Sequence, residues 1–237
     1  MALAHSPKIV TNGLVLCLDA GNPKSYPGSG SSWVDVTGNG YNATLINSPT
    51  YDSNVGFISF NGTNQYATHN VPTISSGAID FTFELIFKVR TLPTEQYSPN
   101  GHIWGGENGN DIVSYVNPAV NGESTLNLIY DDSRYSGQGH YSNYTISANE
   151  WVYWAAQGKQ SDSTIAHYIN GKLDKTFTSV VAGQESRLRY ADAKIAYDAR
   201  YSTYTQLDIS IIREYHRLLN PSEIQQNFNA LRGRFGI

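Results

Sequence analysis

A single cysteine in 237 residues excludes an internal disulfide. Cys17 lies inside the apolar run Leu14–Leu18 and reads as a small buried hydrophobe. Charge is scarce as well. Only 15% of residues are Asp, Glu, Lys or Arg, the formal net charge is −4, and no basic run occurs. A reader of phosphate backbones needs a basic stripe, so nucleic acid is not an expected partner. No stretch approaches the roughly 20 apolar residues of a membrane-crossing helix, so membrane insertion is not expected either. Met1–Lys8 is neither apolar nor followed by an apolar core segment, and no signal peptide is expected from it. The chain is therefore expected to fold in a reducing cytoplasm.

Catalytic constellations are also missing. Asp80 and Glu84 share a strand face, but Thr82 stands between them and no third acid completes a glycosidase array. They read as exposed acids opposite a phenylalanine face. His5, His69, His102, His140, His167 and His216 show no metal-ligand spacing, and His167 reads as a packed strand residue. No serine sits in a nucleophile elbow. The chain is not expected to be an enzyme.

What the sequence does hold is aromatic, glycine-punctuated β-structure. It has 17 Tyr, 8 Phe, 4 Trp and 21 Gly, with 40% hydrophobic residues overall, enough for a sizeable core. Glu150–Phe177 carries the strongest local signal. Asn170-Gly171 accepts positive φ at both turn positions and predicts a two-residue hairpin, with Trp151–Ala156 as a third strand before it. Asn61-Gly62 marks a second turn. Ala78–Arg90 alternates, with Phe81, Phe83, Leu85, Phe87 and Val89 on the core face and Asp80, Thr82, Glu84, Ile86 and Lys88 on the other. Gly21–Ser32 is a Gly/Pro/Ser loop. Asn220, Pro221 and Glu223 predict a capped helix, with Ile224, Phe228 and Leu231 buried on the sheet and Gly233 as its terminator. About a dozen short strands and one helix predict a two-sheet sandwich or jelly roll.

Three motifs in order resemble the laminin-G-like domains of the concanavalin-A-like family, over about residues 12–232. Trp151, Tyr168, Asn170, Gly171 and Lys172 carry the first. Ile209, Ile211, Tyr215, Leu218, Glu223 and Ile224 carry the closing pattern. Gly13, Leu14, Asp19, Ala20, Trp33, Asp35, Gly38, Asn39 and Gly40 resemble the opening of such modules in tailed-phage structural proteins. The resemblance implies an all-β, concanavalin-A-like jelly-roll sandwich of two antiparallel sheets with one short C-terminal helix. It departs from the family where Ser210 stands in place of an acidic residue, or Asp208 is its displaced counterpart.

The expected organisation is an arm at 1–11 and one domain at 12–237. The expected function is a non-catalytic structural or recognition protein of a phage virion, with a soluble glycan-binding lectin module as the alternative. Expected partners are other virion proteins, copies of the chain reached through the arm, or a cell-surface glycan. Tyr130, Tyr135, His140, Tyr141 and Tyr144 are the candidate glycan- or partner-binding residues. They lie in a Tyr-, Gly- and Ser-rich stretch read as an adaptable loop, or they pack on the sandwich edge. Tyr190, Tyr197, Tyr201 and Tyr204 invite the same two readings. No cofactor is required. The family resemblance admits calcium, and Asp131 and Asp132 are its candidate ligands. Glu107–Asp111 and the pair Asp19 and Asn39 are further oxygen-rich clusters, and all three also read as ordinary turns.

Overall fold

Phe81, Phe83, Leu85, Phe87 and Val89 alternate along one strand, and all five are fully buried. Around that strand the described residues build two eight-stranded antiparallel sheets, a two-stranded flap and one helix. The computed structural model describes residues 8–70, 80–94, 101–106, 112–120, 123–132, 135–159, 164–178 and 193–237. In chain order the strands are β1 (Leu14–Asp19), β2 (Ser32–Trp33), β3 (Ala43–Ile46), β4 (Thr50–Asp52), β5 (Phe57–Ser59), β6 (Tyr66–His69) and β7 (Phe81–Val89). There follow β8 (His102–Gly105), β9 (Ile112–Val120), β10 (Glu123–Asp132), β11 (Tyr135–Thr145), β12 (Val152–Lys159), β13 (Thr164–Ile169) and β14 (Lys172–Phe177). The last are β15 (Ala193–Ile195), β16 (Tyr197–Asp198), β17 (Thr203–Tyr204) and β18 (Leu207–Tyr215), ahead of α1 (Pro221–Phe235).

Sheet I runs β14-β13-β12-β7-β18-β5-β4, with β1 also on β18. Sheet II runs β11-β10-β9-β8-β15-β6-β3-β2. The inner faces interdigitate in a core that includes the phenylalanines of β7 with Trp33, Trp104 and Trp154. One lateral side is stitched shut. The backbone N–H of Asn143 on β11 donates to the Asp174 carboxylate on β14 at 2.6 Å.

The Asn170-Gly171 turn forms as expected, with φ of 49° and 77°. Glycine is required twice at 171. A Cβ there would strike the Phe228 side chain at 2.9 Å, because the turn docks under the helix.

The helix changes the reading of β7. It lies on the outer face of sheet I and covers a second apolar cluster of Ile86, Tyr153, Tyr168, Ile211, Tyr215, Ile224, Phe228 and Leu231. Glu84 is therefore not an exposed acid but completely buried, as is Thr82. Its carboxylate accepts from the Tyr153 hydroxyl at 2.5 Å, Asn227 Nδ2 at 2.7 Å and an Arg213 guanidinium N–H at 3.2 Å. A strand alternates two faces whichever of them is later covered, so alternation alone did not reveal this.

The segment after residue 7 also departs from expectation. It docks on its own chain rather than reaching outward. Val10 N–H donates to Asn227 Oδ1 at 2.7 Å, the Tyr215 hydroxyl donates to Val10 O at 3.0 Å, and Gln226 Nε2 donates to Lys8 O at 2.6 Å. Asn227 and Tyr215 are buried polar groups that need partners, and the arm supplies them. Residues 1–7 lie outside the described residues.

The helix N-terminus is a capping box. Asn220 Oδ1 accepts from Glu223 N–H at 3.0 Å, and the Glu223 carboxylate accepts from Asn220 N–H at 2.8 Å and from Arg217 at 2.7 and 2.8 Å. The helix runs through Gly233 and ends at Gly236, in the left-handed conformation at φ 71°. Phe235 keeps the last turn seated, its ring 4.9 Å from Trp151. We expect Asn220→Ala to cost about 1 kcal/mol, the usual cost of removing a side-chain cap. A urea midpoint that falls at unchanged slope checks this. An unchanged midpoint would mean that the Arg217–Glu223 pair holds the terminus alone.

Candidate functional site

With α1 on sheet I, the outer face of sheet II is the broad face that no helix covers among the described residues. Along β6, Ala67 and His69 turn into the core while Tyr66 and Thr68 turn out. Lys194 of β15 stands opposite Thr68 on the same face. Ala196 then takes φ 63°, and the chain leaves the sheet to form the flap β16–β17, in which Tyr197 pairs with Tyr204 and Asp198 with Thr203.

Three tyrosines from distant positions meet here. The Tyr197 and Tyr204 rings stack at 4.6 Å, and Tyr66 lies 4.9 Å from Tyr197 and 6.2 Å from Tyr204. All three are half-buried. The Tyr204 phenol is pushed up from its ordinary value, first by desolvation and then by the Tyr197 and Tyr66 phenols beside it. Asp198 holds the flap. Its buried carboxylate accepts from Arg200 N–H at 3.0 Å and from two guanidinium nitrogens at 3.1 Å each. That clamp sets the Arg200 guanidinium 5.6 Å from the ring of Tyr201, which is 48% exposed. The arrangement presents amphipathic rings, apolar on the face and polar at the tip, on a braced surface. Such rings cover the C–H face of a sugar while their hydroxyls meet its hydroxyls.

The expected tyrosine loop is not a loop. Tyr135–Thr145 is β11, paired antiparallel with β10. From His140 to Asn143 buried and exposed side chains alternate, so these residues do not form one outward surface. His140 is buried, its ring edge-on to Phe177 at 5.0 Å. Tyr141 is exposed at 37%. Tyr144 is half-buried against the core, and its hydroxyl donates to Glu150 at 3.0 Å. Burial, and then Glu150, hold that phenol well above its usual range. The side chains of Tyr130, Tyr135, Asp131 and Asp132, and all of Tyr190, lie outside the described residues.

The other oxygen clusters fare differently. Asp19 is committed to Arg234 at 2.9 Å, and Asn39 donates its side-chain amide to Val15 O at 2.8 Å. Residues 107–111 lie outside the described residues. Among the described residues no three His, Cys, Asp or Glu side chains gather as metal ligands. Asp208 pairs with Lys88 at 3.1 Å and Arg90 at 3.3 Å, and Ser210 accepts from Arg234 while donating to Gly56 O. Both positions where the closing motif departs from the family are thus occupied by internal contacts.

His167 is a packed strand residue, as expected. Its ring stacks on Trp154 at 5.7 Å and accepts the indole N–H at 3.0 Å. Tyr66 is the site residue that sequence reasoning missed. The local signal was the run Tyr197-Asp198-Ala199-Arg200-Tyr201-Ser202-Thr203-Tyr204, a tight hairpin with a tyrosine at each end. Nothing local tied Tyr66 to it.

Among solved structures, the fold is similar to botulinum neurotoxin binding regions. One is a type C structure described by the dependence of cell entry on two ganglioside molecules, at TM-score 0.71 and 12% identity, covering 92% of this chain and 51% of that one. Another is the DC binding domain in complex with rat synaptotagmin II, at 0.70 and 12%, covering 92% and 52%. A third is the type G receptor binding domain, at 0.66 and 14%, covering 92% and 51%. This chain thus spans about half the length of each, and likeness at such identity speaks to the fold alone. Among curated proteins, none matches the chain. None of these neighbours is a phage protein, so the expected virion role draws no support from them. A family model matches residues 60–225, and with the two-sheet sandwich already described it assigns the chain to the concanavalin A-like lectin/glucanase superfamily, in its laminin-G-like branch.

Proposed function

We propose that this chain is a non-catalytic carbohydrate-recognition module that binds its glycan on the outer face of sheet II. The observation that carries the reading is the gathering of Tyr66, Tyr197 and Tyr204 on the outer face of sheet II, the face that α1 does not cover. The acid that glucanase chemistry would use on β7 is locked in a buried ion pair behind the other face. Ganglioside recognition by neurotoxin relatives of the fold agrees with a sugar ligand. A virion surface remains the setting that composition and the opening motif favour, and mass spectrometry of purified particles tests it.

A glycan array probed with and without calcium tests the function. We expect binding to at least one glycan class, lost by about tenfold or more in Tyr197→Ala and in Tyr204→Ala, the size of one good ring contact. Tyr141→Ala, on the far edge of the same sheet, is expected to bind as the parent does. Loss in Tyr141→Ala with retention in the flap variants would move the site to β11. Circular dichroism of each variant separates lost binding from lost fold.

A further inference from the structure

The lateral side of the sandwich opposite the β11–β14 stitch is not closed in the same way. There sheet I ends at β4 and sheet II ends at β2, and the loop between Tyr26 and β2 arches over the β3–β4 turn. A cavity of about 360 Å³ lies beneath this arch. Ligand clefts for small molecules run from roughly 300 to 1,000 Å³, so this one holds one or two sugar rings and nothing much larger. It shares no residue with the tyrosine cluster on the outer face.

We propose that this cleft is a second binding site, selective for a neutral pyranose ring, the terminal unit of an uncharged mono- or oligosaccharide. Its walls are aromatic and aliphatic. Tyr26 and Tyr51 meet edge to face at 5.1 Å, and Leu45 and Pro49 complete the apolar lining. Its rim is hydroxylic. Ser29, Ser31 and Ser48 are exposed at the mouth, and among the described residues their hydroxyls have no intramolecular partner. Each is free to donate one hydrogen bond and accept two. The phenols of Tyr26 and Tyr51 donate inward, to Gly30 O at 3.0 Å and Ala20 O at 3.1 Å, and keep lone pairs for a donor. An apolar floor beneath a ring of hydroxyls matches a pyranose, whose C–H face is apolar and whose perimeter is hydroxylated.

Charge decides the class. None of the described residues lining the cleft carries a charged side chain. The Tyr26 phenol is pushed further from ionisation, by burial and then by Tyr51. A sialic acid, a uronic acid or a phosphate would enter this space without a counter-charge and would give up hydration that nothing here replaces.

The cleft is also braced before any ligand arrives. Gly28 and Gly30 hold φ of 94° and 88°, which lets the arch turn twice without side chains across the mouth. On the opposite lip, Asn47 and Ser48 both take left-handed backbone, at φ 59° and 53°. Non-glycine residues hold that conformation where their surroundings impose it, and such places cluster at binding sites. Here the surroundings are visible. Gln65 Nε2 reaches across to the carbonyls of Asn47 at 3.1 Å and Ser48 at 3.0 Å, and Asn47 Nδ2 donates to Asn64 O at 2.7 Å. The arch is pinned in turn by Leu45 N–H to Ser31 O at 2.7 Å. Rims fixed in this way lose little freedom on binding.

Saturation-transfer NMR on the whole chain tests the proposal, with glucose, galactose, mannose, N-acetylglucosamine and N-acetylneuraminic acid as probes. We expect millimolar binding of at least one neutral sugar, the strength that about twelve non-hydrogen atoms reach at ordinary efficiency. N-acetylneuraminic acid is expected to give no signal from this site. Ser31→Trp, which fills the mouth from an exposed position, is expected to abolish the signal that remains in the Tyr197→Ala/Tyr204→Ala background. Ser29→Ala with Ser48→Ala, which removes hydroxyls without adding bulk, is expected to weaken it by about tenfold. Tyr197→Ala with Tyr204→Ala is expected to leave it intact, so a failure of the cleft and a failure of the sheet II site give different patterns. Absence of any neutral-sugar signal at millimolar concentration overturns the proposal. So does a signal that survives Ser31→Trp in the Tyr197→Ala/Tyr204→Ala background, or one that disappears with the flap tyrosines instead.

Discussion

Glu84→Gln is expected to destabilise the protein by about 3–5 kcal/mol, the range for removing one member of a buried ion pair. Glu84 and Arg213 face each other across the β7–β18 ladder and are 0% and 1% exposed. The amide retains the size of the carboxylate, so the cost does not come from a cavity. It comes from Arg213, whose charge then loses its ion-pair partner and is left with the Asp19 carboxylate, which Arg234 already holds. In a chain of this length each kcal/mol moves the melting temperature by roughly 2–4 °C, which gives a drop of about 6–20 °C. The second arm of the experiment isolates the cause. Adding Arg213→Met to Glu84→Gln removes the stranded charge and is expected to recover a good part of the loss. A single variant that melts within a degree or two of the parent, or a double variant less stable than Glu84→Gln, would show that the pair is not what holds this interface.

Acid is expected to begin destabilising the protein below pH 6.5, before most carboxylates titrate. Burial first of all depresses three core histidines, His69 and His102 to about 4 and His167 to about 3, from 6.5. His140 and Lys175 push His167 down further. The folded values lie below the unfolded one. Between them the unfolded chain takes up protons that the folded chain refuses, so stability is full above pH 6.5 and is lost as pH falls towards 4 and below. At pH 4.5 the loss is about 2–3 kcal/mol for each histidine, at 1.36 kcal/mol per unit. Together that is comparable with the whole stability of a domain, about 5–15 kcal/mol. Glu214, raised by burial, acts in the opposite sense over part of the same window. Two of the histidines accept an indole N–H, His69 from Trp104 at 2.5 Å and His167 from Trp154 at 3.0 Å. Tryptophan fluorescence therefore reports the transition directly. His167→Gln keeps an acceptor for Trp154 without a titrating group, and it is expected to move the acid midpoint to lower pH. Denaturant stability that stays level from pH 7 to 4.5 would contradict this account.

What the sequence made legible was local. The Asn170-Gly171 turn needs two positive φ angles, and few dipeptides accept them. The Asn220–Glu223 box closes within four residues. The phenylalanine face of β7 repeats with the strand period. Each carries its cause within a dozen residues. Glu84 shows the limit, since the helix that buries it begins more than 130 residues later. The stretch Tyr135–Thr145 has the Gly and Ser content of a loop, but pairing with β10 supplies hydrogen bonds that outweigh its poor strand propensity. The helix passed Gly233 because Phe235 had a place to pack against Trp151. Of the sheet II site, Tyr197 and Tyr204 were visible as candidates. Their junction with Tyr66 depends on β15 pairing with β6, a register that no short motif encodes.

The pairing of β1 with β18, and of Val10 with Asn227 across 217 residues, sets a schedule for synthesis. A ribosome adding about 5–20 residues per second makes the first apolar strand roughly 10–40 s before its partner exists. During that interval Leu14–Asp19 has no native strand to join, and neither Glu84 nor Arg213 has its counter-ion in place until β18 emerges. The sandwich cannot close progressively behind the ribosome. It waits for β18 and α1, and a nascent chain stalled before them exposes an unpaired apolar edge to whatever chaperone or neighbouring chain meets it first.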